Sequence, residues 1–404
     1  MSEWRKLPLK EITVKIGSGS TPTGGSGAYK ETGVSLIRSQ NVLDFSFTNN
    51  GLAFIDEEQA HALRNVIVEP QDVLLNITGD SVARCCSAPR EWLPARVNQH
   101  VAIIRANPKH LDSLFLKYSL ISIKDELLSL SEIGGTRNAL TKSMLENLKL
   151  FVPSVIEQKA IASVLSSIDN KIDLLHRQNK TLESMAETLF RQWFDVDSND
   201  EWQEKNVLDI FTLVGGGTPK TSVAEYWADE IPWISGGDIS AAHQGYLYST
   251  EKSISLAGLQ NSSAKLLPKN STVISARGTV GKYALLARDM AFSQSNYGIV
   301  SKIGNYPFFI YLLVGFIVDD LLTAAYGSVF DTITTRTFES VNLKFPSLNS
   351  IEKFNEEISP IFSKKETNTQ QIKTLETLRD TLLPKLMSGD VRVQYAEEAI
   401  ASVA

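Results

Sequence analysis

Cysteine is nearly missing from this chain. It has two, the adjacent pair Cys85 and Cys86. Neighbours cannot build a disulfide framework, so they read as small strand residues and suit a reducing compartment, the cytoplasm. Five scattered histidines give no metal-ligand spacing, and no metal is expected. No run of about 18 apolar residues occurs; Phe308 to Val318 comes nearest and is too short to span a bilayer, so no membrane contact is expected. Met1 to Pro8 is charged and polar, unlike a signal peptide. An excess of basic charge is missing too. The net charge of −6 argues against indiscriminate nucleic-acid binding but leaves room for a local cationic face.

Catalytic motifs are also missing. Gly215-Gly216-Gly217-Thr218-Pro219-Lys220 lacks the spacer and the Gly-Lys-Ser/Thr ending of a P-loop. Gly278-Thr279-Val280-Gly281-Lys282 is followed by Tyr283, and its first glycine is too near. No dinucleotide fingerprint follows a strand. The Asn/Asp-Pro-Pro-aromatic element of amino-methyltransferases is absent; Asn305-Tyr306-Pro307-Phe308 has one proline in the wrong slot. These absences favour a binding role over an enzymatic one.

What is present begins with a long apolar stripe. From Glu157 to Phe194, Ile161, Ile168, Leu175, Leu182 and Leu189 recur at heptad spacing, widened by Val164, Ile172 and Met185. No glycine or proline interrupts them. Such a seam predicts a helix roughly 50–55 Å long that needs a partner of similar length. Between Ile351 and Met387, Phe354, Ile361, Leu375 and Leu382 share one register with Asn368, while Ile358, Ile372 and Leu386 lie on the next. The two stretches predict an antiparallel coiled coil. Asn368 is a polar residue on an apolar seam, a device that fixes register. Pro360 predicts a kink or a fresh start at Ile361.

The chain also repeats itself. EWRKLPLKEI (Glu3 to Ile12) returns as EWQEKNVLDI (Glu201 to Ile210), and SGSTPTGG (Ser18 to Gly25) as GGGTPKTS (Gly215 to Ser222). GVSLIRSQNV matches EIPWISGGDI, and VEPQDVLLNITGDS matches LLPKNSTVISARGTVG. ALTKSMLENLKLFVPS (Ala139 to Ser154) matches TITTRTFESVNLKFPS (Thr332 to Ser347), and each copy runs straight into a long helix. The order is constant and the offset drifts by only a few residues. The expected organisation is a globular unit (1–154), a long helix (155–194), a second globular unit (195–347), a second long helix (348–390) and a tail (391–404). Short Val/Ile/Leu-rich strands and matched amphipathic helices at Leu111 to Leu130 and Phe308 to Ala325 make each unit α/β.

The loops of both units carry groups suited to base edges and phosphates. In the first these are Arg38, Ser39, Gln40, Asn41, Arg84, Asn98, Gln99 and Arg137. In the second they are Lys220, Ser235, Asp238, Arg277, Thr279, Lys282, Gln294, Asn296 and Arg336. Arginine pairs bidentately with guanine and Asn or Gln with adenine, whereas Ser, Thr and Lys more often hold the backbone. Each residue alone also reads as an ordinary solvated loop side chain. The collective pattern is stronger, because Gln and Asn follow strand ends and Arg flanks a glycine turn in both units.

In the E-W opening, the G-x-T-P loop, the F-V-P-S or F-P-S lead into each helix, and the endings LESMAETLFRQWF and LRDTLLPKLMSGDV, the chain resembles the specificity subunit of Type I restriction-modification systems. The likeness extends over essentially its whole length. It implies two target recognition domains joined by two conserved helices in an antiparallel coiled coil, each domain reading half of a split double-stranded DNA target. It also implies two methylation (M) subunits docked around the helices and motor-nuclease restriction (R) subunits joining them. S-adenosylmethionine, ATP and Mg²⁺ would belong to those partners. Arg177, Lys180, Arg191 and Lys373, exposed in the helical register, are the docking candidates, with solvated coiled-coil flanks as the alternative.

A duplicated chain on antiparallel helices mimics a twofold dimer while allowing each half a different sequence. The competing reading is a coiled-coil scaffold whose globular ends bind proteins, without salt-dependent DNA affinity. If the helices act as a ruler, the half-sites lie about one DNA turn apart, roughly 34–36 Å centre to centre. Inserting one heptad into both helices should then lengthen the preferred spacer, read by mapping methylated sites; an unchanged spacer sinks the ruler.

Overall fold

The computed structural model describes residues 4–132, 138–196, 202–325, 332–391 and 393. The chain forms two compact units. One comprises Met1–Leu174 with Gln371–Ala404, the other Leu175–Gln370. Each unit holds one α/β lobe and a stretch of both long helices, Val155–Arg191 and Leu348–Ser388. The unit boundaries therefore cut through the helices, because helix seam residues are packed into the lobes.

In the first lobe, Thr13–Ser18, Val101–Ala106, Val73–Asn76 and Cys85–Ser87 form an antiparallel sheet in that order. A second sheet runs Ala53–Ile55, Val34–Ile37, Ala95–Val97, Ile67–Val68, with Val34–Ile37 and Ala95–Val97 parallel. Leu36, Ile37 and Val97 from one sheet meet Leu74, Val101 and Ile103 from the other in a common core. The strands read as unbroken apolar runs because both faces are covered. Arg5–Pro8 pairs antiparallel with Lys149–Val152, tying the start of the lobe to the strand that leads into the first long helix.

The second lobe repeats the plan. Phe211–Gly215, Asn296–Ser301, Thr272–Ser275 and Tyr283–Leu286 correspond to the first sheet, with Tyr246–Leu247 added at its edge. Lys252–Ile254, Ile231–Ile234, Met290–Phe292 and Leu266–Leu267 form the second sheet, again with one parallel pair at its centre. Gln203–Asn206 pairs with Asn342–Phe345, as Arg5–Pro8 pairs with Lys149–Val152. The repeat legible in the sequence is thus a repeat of topology.

The helix at Pro307–Ala325 runs further than its apolar core of Phe308 to Val318 suggests: 19 residues with a mean hydropathy of 2.0, enough by length and composition to cross a membrane. Proline suits its first position, where no helical N–H bond is lost. Phe309, Tyr311, Leu313, Val314 and Ile317 are buried with Phe211, Ile299 and Phe338, as in the central helix of a lobe.

The long helices run antiparallel within each unit. In the second unit Asn179 meets Asn368 while Glu183 meets Lys365, so position rises on one helix as it falls on the other. Asn368 is fully buried, and its Nδ2 donates to Asn179 Oδ1 (3.0 Å). Two of the helical expectations are corrected. Met185 is 48% exposed; Ala186 and Phe190 carry the seam there, because a 3.6-residue helix drifts off a strict heptad over several turns. Of the two outcomes expected at Pro360, the fresh start at Ile361 does not occur: the second helix continues through it, with the proline on an exposed position.

In the first unit one carboxylate joins lobe to helices. Asp169 on the first long helix accepts from Lys117 Nζ (3.0 Å), Tyr118 Oη (2.6 Å) and Arg379 Nη1 (3.3 Å) of the second. The Lys117 side chain is 6% exposed and Arg379 11%. Removing the acid would strand an ammonium away from water. Asp169→Ala should therefore cost about 3–5 kcal/mol of unfolding free energy. Asp380→Ala removes a carboxylate that is 61% exposed and also pairs Arg379, and should cost under about 1 kcal/mol. Denaturant midpoints of the two variants check the contrast.

Candidate nucleic-acid interface

In the first lobe four segments converge around a cleft of about 940 Å³. They are the loop after Val34–Ile37, the turn between Val73–Asn76 and Cys85–Ser87, the chain leading into Val101–Ala106, and Asn138 with Ala139. Asn76 organises them. It is fully buried, and its Nδ2 donates to the carbonyls of Ser39 (2.9 Å) and Val42 (3.3 Å) and to Ser81 Oγ (3.1 Å). The Ile77 amide donates to the His100 carbonyl (2.9 Å) and the Leu140 amide to the Ile77 carbonyl (2.8 Å). Gly79 turns the chain at φ +76°, a region that disfavours side chains.

Ser39, Gln40, Thr78, Asp80, Arg84 and His100 face this cleft. His100 bonds Thr78 Oγ1 through Nδ1, and Gln99 Nε2 through Nε2 (3.1 Å). Thr21 Oγ1 donates to Gln99 Oε1. Arg38 lies over the Tyr29 ring at 5.2 Å and donates through Nη2 to the Gly51 carbonyl, to which Gln40 Nε2 also donates (3.1 Å). These bonds hold two reaching side chains against a loop rather than leaving them free to sweep.

The corresponding surface of the second lobe is built the same way. The Ala276 amide donates to the Ser295 carbonyl (2.9 Å), and Gly278 turns at φ +78°. Thr279 Oγ1 donates to the Gly236 carbonyl (3.1 Å) and to Ser275 Oγ (2.9 Å), stapling the turn to the loop after Ile231–Ile234. Arg277, Lys282 and Gln294 are exposed, as are Lys220 and Arg336 at other points of the lobe. His243, close to Lys282, has its imidazole pKa pulled down, first by burial and then by the lysine charge.

Several sequence-derived candidates turn inward. Asn41 is fully buried, donating to the Thr48 (3.0 Å) and Asn50 (3.2 Å) carbonyls and accepting from the Arg38 amide (3.1 Å). Asn98 is buried and accepts from the His100 amide (3.0 Å). Asn296 is buried and donates to Ser293 Oγ (2.9 Å). Ser235 and Asp238 cap the helix Gly236–Ala241: the Ser235 hydroxyl donates to Asp238 Oδ2 (2.6 Å) and accepts from the Asp238 amide (3.3 Å). All five make hydrogen bonds within their own loops; Asn41, Asn98 and Asn296 are buried, and Ser235 and Asp238 are half-buried. Arg137 lies outside the described residues.

On the helices, Arg177, Lys180, Arg191 and Lys373 are all exposed. The Arg191 guanidinium stands over the Phe316 ring at 5.8 Å. Among the described residues no cluster of three His, Cys, Asp or Glu side chains could hold a metal. Thr78, Asp80 and His100 line the cleft without standing among the sequence-derived candidates, although Thr78 adjoins the glycine that the repeat marks and His100 follows Gln99.

Residues 1–184 and 199–377 each match the family model described as Type I restriction modification DNA specificity domain. The Type I restriction enzyme MjaIX specificity subunit of Methanocaldococcus jannaschii is 26% identical, over 97% of this chain and 94% of its own length. The HindI specificity subunit of Haemophilus influenzae is 22% identical, over 97% of this chain and 100% of its own. The crystal structure of a Type I S subunit from M. genitalium shares the fold, with a TM-score of 0.60 at 15% identity, covering 95% of this chain and 96% of that one. Two framework-matched lobes on antiparallel helices, each lobe matched by the same model, place this chain in the Type I restriction-modification DNA specificity family.

Proposed function

We propose that this chain is the sequence-reading subunit of a Type I complex, each lobe recognising one half of a bipartite, asymmetric DNA target. The observation that carries the reading is the duplication itself. The loops of both lobes are held by the same backbone bonds, yet they present different side chains: Thr78, Arg84 and His100 in one, Arg277, Lys282 and Ser295 in the other. A shared scaffold with unlike reading groups suits a target with unlike halves. The chain itself carries out no catalysis in this reading. Two methylation subunits dock along the helices, with Arg177, Lys180, Arg191 and Lys373 at the contact, and motor-nuclease subunits join them on the DNA. S-adenosylmethionine, ATP and Mg²⁺ act within those partners, in the cytoplasm.

Net acidity does not conflict with this role, because phosphate contact depends on where cations stand rather than on their sum. Arg84 and Lys282 occupy matching positions beside the glycine turns and suit the DNA backbone.

Two outcomes test the reading. Methylome sequencing of cells expressing the chain with its methylation subunit should reveal a split motif with methyladenine in both halves, and exchanging residues 1–150 for those of a relative should change one half only. No new methylation, and no salt-dependent DNA affinity in the purified complex, would favour the protein-binding scaffold. Arg84→Ala should weaken the complex's DNA affinity evenly across sequences and reduce the salt slope by about 1; a slope equal to the wild type removes Arg84 from the backbone contacts.

A further inference from the structure

The backbone bonds that frame the two clefts put their residues in one-to-one register. The Asn76 amide donates to the Arg84 carbonyl (2.9 Å) as the Ser275 amide does to that of Lys282 (2.7 Å). Ile77 takes the His100 carbonyl as Ala276 takes that of Ser295, both at 2.9 Å. Leu140 returns to the Ile77 carbonyl (2.8 Å) as Ile333 returns to that of Ala276 (3.1 Å). Gly79 and Gly278 occupy the same left-handed turn position. Three side-chain pairs then coincide: Arg84 with Lys282, Thr78 with Arg277, and His100 with Ser295. The first pair keeps its charge. The other two exchange chemistry.

We infer that these two exchanged positions are base-reading positions, and that Arg277 reads a guanine in the second lobe's half-site. The inference rests on the DNA-reading role proposed above. Arg277 projects from the turn into solvent with a planar fork, which matches the O6 and N7 acceptors of guanine in the major groove. The first lobe presents something different at the same point. Thr21 donates to the Gln99 carbonyl oxygen, which turns the Gln99 amide nitrogen onto His100 Nε2. His100 Nε2 lies against that amide nitrogen and Nδ1 against Thr78 Oγ1. Thr78 is thereby held at the cleft wall by a chain of hydrogen bonds. The first lobe therefore offers one short, fixed hydroxyl, suited to a single position on a base edge. The second offers a long two-donor fork with the small Ser295 behind it.

The test uses the full chain assembled with its methylation subunits, on a DNA library randomised in both half-sites. Arg277→Lys keeps the charge and loses the fork. It should leave salt-dependent affinity in place and cut discrimination for guanine at one position roughly 10- to 100-fold, in the half-site that does not respond to exchange of residues 1–150. Thr78→Arg combined with His100→Ser grafts the second lobe's groups onto the first. It should change the preferred base in the other half-site alone; Thr78→Val, which removes only the hydroxyl, covers the case in which the graft misfolds. If the wild-type complex selects a split motif but Arg277→Lys and Thr78→Val keep every preference, or alter the wrong half, this inference falls while the DNA-reading role stands. A wild-type complex that selects no motif overturns both.

Discussion

The first unit is tied together at one half-buried carboxylate. Asp169 binds Lys117 and Tyr118 from the lobe and Arg379 from the opposite long helix, so one side chain fixes both the helix pairing and the lobe's seat upon it. The same Arg379 lies 3.6 Å from the centre of the Phe45 ring, in the loop after the Val34–Ile37 strand. That loop is part of the segment Asn76 braces at the cleft. In the second unit the matching tyrosine, Tyr311, donates to Glu183 (3.0 Å), which pairs Lys365 from the other helix. Buried ion pairs gain little net stability against apolar substitutes. What they supply is geometry: a charged group that must find its partner permits one register and one seat. Asn368, buried and bonded to Asn179, constrains the second unit in the same way.

A reader of DNA has a reason to prefer constraint over gross stability. Hydrogen bonds to base edges tolerate little displacement, and a cleft assembled from loops inherits whatever play its supports allow. Here the supports are backbone bonds and inward-facing Asn, Ser and Asp side chains. Asn41, Asn76, Asn98 and Asn296 are all buried and spend their bonds on carbonyls, amides or hydroxyls of their own loops. Polar residues therefore divide into those that build the loop and those that face out of it.

That division explains what the sequence could and could not disclose. The duplication, the strand cores and the helix seams were legible because they are periodic and apolar, and burial enforces the period. Ile161, Ile168, Leu175 and Leu375 lie buried where the heptads put them. Met185 went astray because the heptad and the helix part company over distance, and Pro360 because a proline on an exposed helical position need not end a helix held by its neighbours. The candidate loops were legible as a set, but which of their side chains face outward was not. Asn41 and Gln40 are adjacent and chemically alike, yet one is fully buried and the other exposed. Nothing in their identity separates them; loop geometry does.

The acidic net charge falls into place on the same grounds. A dimer made of two identical readers would be bound to symmetric targets, and a strongly cationic surface would hold any DNA whether or not it carried the site. This chain avoids both. Its two lobes share a backbone and differ where side chains leave it, so the halves of the target are free to differ. Arg84 stands beside one glycine turn and Lys282 beside the other. A net negative charge works against affinity for arbitrary sequence and leaves more to groups that fit a base. A subunit whose task is to choose among sites gains more from weak general attraction than from strong, because the ratio of specific to non-specific binding decides where the complex stops.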